Sequence, residues 1–308
     1  MSAPIQSNRD GGVRCCALVG DTDKSRAPDA DSAGSGRGGR SLDTVRVAEC
    51  IEFMATLPDA CVDAVLTDLP YGTTQNAWDT VIDLPAWWTQ VRRVCLGAVV
   101  TTASQPFTSQ MVMSNVREFR HEWIWRKNRG SNFANTVREP FKEHESVVVF
   151  AAGKWTYNQQ REARRGSGGE RAEYKVAWNP GGSNYREFKP RGPVELTADR
   201  VPSSVQEFTT ETGLHPTQKP VELMRYLVRT YTNPGDVVLD MCCGSGTTLV
   251  AAKQEGRHFI GCDSEEKYVT MARKRLESEL PWAAGVRSGG ENSESKSGAC
   301  SPTKHICD

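Results

Sequence analysis

Apolar residues come in short runs along the chain, separated by stretches of helical period, and several runs end abruptly in polar or glycine-rich sequence. The runs predict strands over 45–48, 62–67, 98–102, 122–127, 146–151, 237–241 and 258–262. Helical stretches fall over 84–95 and 106–116. A third, 221–231, places Val221, Met224, Leu227, Val228 and Tyr231 on one face. Pro220 suits its first turn, and Asn233-Pro234-Gly235 stops it. Apolar strands alternating with helices predict an α/β fold whose mostly parallel sheet is covered on both faces. No clear helix separates the fourth strand from the fifth, so these two are expected as antiparallel edge strands.

Two strand ends carry unusual chemistry. In "VDAVLTDLPYGTTQNAWD" the run stops at Asp68, followed by Leu69, Pro70 and Tyr71. A carboxylate at a strand end lies where open α/β sheets bind ligands. Asp68 can accept a hydrogen bond from an amine, Pro70 forces an extended turn, and Tyr71 offers a flat face. The three describe a pocket for a planar ring with an exocyclic amino group. A proline turn with Tyr71 packed on the core explains this stretch alone about equally well. Thr73, Thr74, Gln75 and Asn76, just beyond, are expected to form a mobile lid, with Trp78 close by.

The second end, "VVLDMCCGSGTTLVAA", reads as strand, tight turn and helix. Gly244 and Gly246 let the backbone turn sharply and approach a ligand. Thr247 or Thr248 starts a helix whose free N–H groups face that ligand. Leu249 stands where a dinucleotide fingerprint requires glycine, and no Lys-Ser/Thr pair marks a P-loop. The next strand, "RHFIGCD", ends at Asp263, the usual distance for an acid that takes ribose hydroxyls. A nucleoside cofactor without a pyrophosphate fits better than a dinucleotide.

The two stretches together resemble the beta-type amino DNA methyltransferases, the adenine-N6 and cytosine-N4 enzymes of phage or restriction–modification type. These place a D/N/S-P-P-Y motif at the target amine and a G-x-G loop at S-adenosylmethionine, in that permuted order. "HPTQKPVELMRYLVRTYTNPGDVVLD" is similar to the family's approach to the cofactor strand. The resemblance covers about residues 43–280 and implies a Rossmann-like, seven-stranded methyltransferase sheet with circularly permuted motif order. It implies a catalytic set of Asp68, Leu69, Pro70 and Tyr71. For the cofactor it implies Asp240, Gly244, Ser245, Gly246, Thr247, Thr248 and Asp263, with His215, Thr217, Gln218 and Lys219 at the methionine end. Leu69 replaces the family's first proline, and Met241-Cys242-Cys243 replaces a more aromatic turn. Glu49-Cys50 stands where relatives often carry Gly-Asp, with Glu49 within expected reach of the cofactor's adenine. The pairing of Asp with Pro-Tyr favours adenine N6. Cytosine N4, an RNA base, a protein amide and a catalytically silent DNA-binding relative are the alternatives.

Composition sharpens this reading. The 308 residues carry no formal net charge, so contact with DNA requires a local field. Between Arg117 and Arg200 there are 17 Lys and Arg against 11 Asp and Glu. That excess suits phosphate contact with double-stranded DNA. Arg126, Lys127, Arg129, Asn132, Phe133, Arg161, Arg164 and Arg165 are the expected DNA contacts. Residues 153–213, polar and glycine-rich, read as an inserted target-recognition region. It separates a catalytic half, 41–152, from a cofactor-binding half, 214–283. The ends, 1–40 and 284–308, are too polar to order themselves and are expected as disordered tails. Ten cysteines without a C-x-x-C spacing predict reduced thiols and no metal. There is no 18-residue apolar run and no signal core. The expectation is a cytoplasmic protein of a bacterium or phage-infected host, for which a homodimer and a cognate restriction endonuclease are possible partners, the endonuclease not being required. Trp123 and Trp125 alternate on one strand and are expected in the core, as are Trp87 and Trp88. His121 and His144 read as isolated.

Overall fold

A computed structural model describes residues 42–74, 76, 79–163, 199–211, 213 and 218–278, and the backbone of 173–174 and 194–195. The expected tails and most of the recognition insertion lie outside these residues.

Eight strands form one sheet: β1 (Thr44–Val47), β2 (Ala64–Thr67), β3 (Val99–Ala103), β4 (Phe119–Lys127), β5 (His144–Phe150), β6 (Val205–Phe208), β7 (Val237–Asp240) and β8 (His258–Asp263). Their spatial order is β1-β8-β7-β2-β3-β5-β4-β6. All neighbours are parallel except β5, which runs antiparallel to both β3 and β4. Six helices follow in chain order: α1 (Cys50–Ala55), α2 (Leu84–Val94), α3 (Phe107–Ser114), α4 (Val221–Tyr231), α5 (Thr247–Gln254) and α6 (Glu266–Ser278).

Each strand sends alternate side chains to opposite faces. Leu66 and Val100 pack with α4, α5 and α6. Val65 and Val99 pack with α1, α2 and α3. Both faces are therefore buried, and Val65 and Leu66 are each fully buried. This is why the sequence shows continuous apolar runs instead of alternation.

Sequence and structure differ at the β6 edge. The antiparallel pair is present, but β5 is interior and β4 is covered by β6, an eighth strand inside the stretch expected to be an insertion. "VQEF" is short and polar on one side, so no apolar run announces it. Its place is fixed by tertiary contacts: Trp125 Nε1 donates to the Phe208 carbonyl at 2.9 Å. Trp123 and Trp125 are buried on one face as expected. His121 is not isolated, since its Nε2 lies 2.8 Å from the Tyr231 hydroxyl.

The chain order creates a switch point. From β2 the chain proceeds to β3 on one side; from β7 it proceeds to β8 on the other. In open α/β sheets the crevice at such a point, outside the carboxyl ends of the strands, is the ligand site. Asp68, which follows β2, and Asp240, which ends β7, flank it.

Candidate active site

A single cleft at the carboxyl ends of β2, β7 and β8 is lined by Asp68, Leu69, Pro70 and Tyr71 together with Asp240, Gly244, Thr248 and Asp263. The two motifs, well over a hundred residues apart in sequence, thus share one site. Thr67 Oγ1 donates to Asp240 Oδ1 at 2.8 Å and joins them across the switch point.

Asp68 is held by three side chains from three elements. Its Oδ1 accepts from the Tyr71 hydroxyl at 2.7 Å and from Thr102 Oγ1 on β3. Its Oδ2 accepts from Lys219 Nζ at 2.5 Å. The Tyr71 ring stacks on Phe107, with centroids 5.4 Å apart and planes at 22°. Burial, then the charges of Asp68 and Glu145, raise the Tyr71 phenol well above its ordinary pKa. Tyr71 is therefore a donor at any working pH. The following turn is pinned by Asp79, whose carboxylate accepts from the backbone N–H of Gly72, Thr73 and Thr74 at 2.8, 3.0 and 2.7 Å. The expected lid thus begins on a tied anchor; Gln75 and Trp78 lie outside the described residues.

The glycine turn is built as its sequence suggests. Gly244 and Gly246 have φ of 49° and 79°. A Cβ on Gly246 would lie 2.7 Å from the Ala272 Cβ of α6, so the site needs glycine for space as well as for φ. Asp263 Oδ2 accepts from Gly244 N at 2.9 Å, which fixes the turn against β8. Ser245 and Thr247 face Arg275, whose guanidinium donates to the Ser245 carbonyl at 2.8 Å and reaches both hydroxyls at 3.2 Å. Thr248 and Thr67 both hydrogen-bond Asp240. Burial nevertheless raises the Asp240 pKa to about 7. Glu49 caps α1, accepting from Ile51 N and Glu52 N at 2.8 and 2.9 Å. Burial works to raise its pKa, but bonds from Cys50, Glu52 and Ile51 more than offset that and lower it.

Other expected site residues make contacts within the protein. Lys219 lines the cleft, pairs with Asp68 and lies 3.5 Å from Glu145 Oε2. Gln218 Nε2 donates to Glu211 at 3.0 Å, and that carboxylate also accepts from Val221 N at the start of α4. His215 and Thr217 lie outside the described residues. Among the expected DNA contacts, Lys127 is directed inward to Glu145. Arg161 is held by Asp199 at 2.7 and 3.0 Å. Asn132 closes its own loop, its Oδ1 accepting from Lys142 N at 2.6 Å. Arg126 and Arg129 are exposed, the former 3.5 Å from Glu207. Phe133 is 79% exposed. Arg164 and Arg165 lie outside the described residues. Because β4 runs parallel to β2 and β3, the loop carrying Arg129 and Phe133 leaves the sheet at the same end as Asp68. Lys142 ties that loop to Ser104, just after β3.

Sequence reasoning missed Thr102, Glu145 and Asp79. The first two lie in apolar strands and gain meaning only from strand pairing. Asp79, a lone acid after a polar turn, carried a weak signal for an Asx-type anchor.

The profile of the N6/N4 DNA methylase family matches residues 62–274. A DNA adenine methyltransferase, YhdJ of Escherichia coli, is 26% identical over 267 residues, spanning 78% of this chain and 85% of that enzyme. The type II methyltransferase M2.DpnII of Streptococcus pneumoniae is 54% identical over 67 residues, a stretch covering 22% of this chain and 25% of that protein. Among solved structures, the complex of M1.HpyAVI with S-adenosylmethionine has a TM-score of 0.51 at 25% identity, covering 75% of this chain and 98% of that one. The cytosine-N4-specific PvuII DNA methyltransferase shares the fold, with a TM-score of 0.53 at 14% identity over 80% of this chain and 89% of that one.

Proposed function

The chain belongs to the N6/N4 DNA methylase family, and from that premise we propose that it transfers a methyl group from S-adenosylmethionine to N6 of an adenine turned out of double-stranded DNA. The observation that carries the proposal is the union of the Asp68 turn and the Gly244–Gly246 turn in one cleft, joined by the Thr67–Asp240 bond.

The cleft suits the methyl donor. A close backbone approach at Gly244–Gly246, the helix N-terminus of α5 and the carboxylate of Asp263 match a nucleoside carrying an amino-acid tail. Asp263 takes the ribose hydroxyls, and Asp240 and Gln218 border the methionine end. When bound, S-adenosylmethionine supplies an electrophilic methyl on sulfur. The rest is positioning by this chain. Asp68 Oδ2 and the Leu69 or Pro70 carbonyl accept the two N–H bonds of the amine, which draws its lone pair out of the ring and aims it at the methyl. The amine nitrogen would take the methyl as the carbon–sulfur bond breaks, and its surplus proton would pass along the hydrogen bond to Asp68 and on to water. Holding both partners in line is worth about 7–11 kcal/mol at best. No residue needs to form a covalent bond. Tyr71 supports the ring of the extruded base, which repays part of a flipping cost of roughly a few kcal/mol. Arg126, Arg129 and Phe133, on the same end of the sheet, contact the duplex. DNA places the enzyme in the cytoplasm of a bacterium or an infected host; a homodimer or a partner nuclease is compatible with the site and unnecessary to it.

The similarity to YhdJ and the Asp-Leu-Pro-Tyr sequence favour adenine over cytosine. The test is transfer of labelled methyl to unmethylated duplex DNA, followed by digestion and identification of the nucleosides. Label in N6-methyladenine is the expected result. Label in N4-methylcytosine would keep the mechanism and overturn the base, and label in RNA or protein alone would overturn the substrate.

A further inference from the structure

We infer that Lys219 is a placeholder for the target base: it holds Asp68 Oδ2 until the amine arrives, and then passes to Glu145. The inference rests on the methylase reading and adds two positioning residues to it, Lys219 and Glu145.

Four observations place the ammonium where the base must go. Lys219 Nζ occupies Asp68 Oδ2 at 2.5 Å, the oxygen proposed for the substrate N–H. Oδ1 is already fixed by Tyr71 and Thr102, so Oδ2 is the oxygen that can change partner. The same Nζ lies over the Tyr71 ring, 5.5 Å from its centroid. Phe107 stacks on that ring with centroids 5.4 Å apart, so the ring is held in place where the ammonium meets it. The ammonium thus imitates both features of the incoming base: an N–H donor to Asp68 and a partner on the ring.

A buried cation displaced from its carboxylate is costly unless another carboxylate receives it. Glu145 is that receiver. Its Oε2 is 3.5 Å from Lys219 Nζ, a longer ion pair than the 2.5 Å contact to Asp68 and one that can shorten. Its Oε1 is held by Lys127, so the carboxylate is already oriented. A small movement of the Lys219 head exchanges one ion pair for another of the same charge. Burial opposes the charge on Lys219, but Asp68 and Glu145 raise its pKa above the ordinary value. Burial likewise opposes the charge on Glu145, but Lys219 and Lys127 lower its pKa. The exchange moves one ammonium between two carboxylates and needs no proton. The amine then displaces a held ion instead of entering beside a bare buried carboxylate, and Asp68 never lacks a partner.

The experiment measures affinity for unmethylated duplex DNA and single-turnover methyl transfer for wild type, Glu145→Gln, Lys219→Met and the double variant, with S-adenosylmethionine affinity as control. Glu145→Gln removes the receiver, so DNA binding should weaken at least fivefold and transfer slow at least tenfold. Lys219→Met removes the competitor, so DNA should bind as tightly as to wild type or several-fold tighter. In that background Glu145→Gln should change DNA affinity less than twofold. S-adenosylmethionine affinity should stay within threefold for Glu145→Gln, and all DNA affinities are compared at saturating cofactor. A purely structural pair would move both single variants the same way, and that result would overturn the inference. So would a Glu145→Gln loss of equal size with and without Lys219. If Glu145→Gln does not fold, Glu145→Asp keeps the charge while withdrawing it by one methylene, and it should show the same signs at smaller size; unchanged DNA affinity there would overturn the inference too. A wild type that transfers nothing to DNA would fail the methylase reading itself and take this inference with it.

Discussion

Asp240 shows how far one residue's environment departs from its sequence label. It is 2% exposed and its pKa is raised to about 7. A carboxyl whose folded pKa lies above its unfolded value binds more protons in the native state between the two. Its contribution is therefore fully present below about 4 and is lost as pH rises through 7, at a cost of up to a few kcal/mol. Asp240→Asn keeps the acceptor for Thr67 and removes the charge. Its melting temperature should gain on wild type from pH 4 to pH 7 and level off by pH 8; parallel curves would contradict the assignment. At this scale the sequence was legible where chemistry sits at a strand end. Asp68, Asp240 and Asp263 stood out because a carboxylate closing an apolar run is conspicuous, and all three line the cleft. Thr102 and Glu145 did not, because a polar residue beside a buried strand looks ordinary until pairing places it against Asp68. Lys219 was expected in this cleft, but its ion pairs with Asp68 and Glu145 were not legible, since sequence order says nothing of which ion it faces.

The glycine turn is the element on which the cofactor half depends, and two glycines separate its requirements. Gly246 and Gly235 both have positive φ, of 79° and 84°. Only at Gly246 would a Cβ collide, with Ala272 of α6; around Gly235 there is open space. Alanine at either position carries a backbone cost of roughly 1–2 kcal/mol. Gly246→Ala should lose more than that in thermal stability and should weaken S-adenosylmethionine at least tenfold by calorimetry. Gly235→Ala should lose only the backbone part and bind the cofactor as wild type does. Equal losses of stability and binding in the two variants would show that φ alone matters. Element types were largely readable: the helix Val221–Tyr231 has its expected bounds, and all seven expected strands are present. The eighth, Val205–Phe208, is too short and too polar for a periodic signal, and it exists because Trp125 and the β4 edge accept it.

For the whole molecule, permuted motif order and sheet topology are two views of one fact. The catalytic strand comes early in the chain and the cofactor strand late, yet they are neighbours at the switch point. That adjacency lets two weak motifs become one specific site. The basic excess of the middle third was legible as composition, but not its division: Lys127, Arg161 and, at a longer distance, Arg126 are paired with acids, while Arg129 and Phe133 are exposed on the loop at the active end. The central claim is that the cleft has two separable parts, one holding the amine and one holding the methyl donor. Asp68→Asn tests it most directly, compared with wild type by equilibrium binding of S-adenosylmethionine and by single-turnover transfer to duplex DNA. Cofactor affinity is expected within about threefold of wild type, since Asp68 is proposed to contact the amine, and transfer is expected to slow by a factor on the order of a hundred or more, in keeping with the orientation at stake. Transfer within tenfold of wild type, or a loss of cofactor binding as large as the loss of transfer, would contradict it.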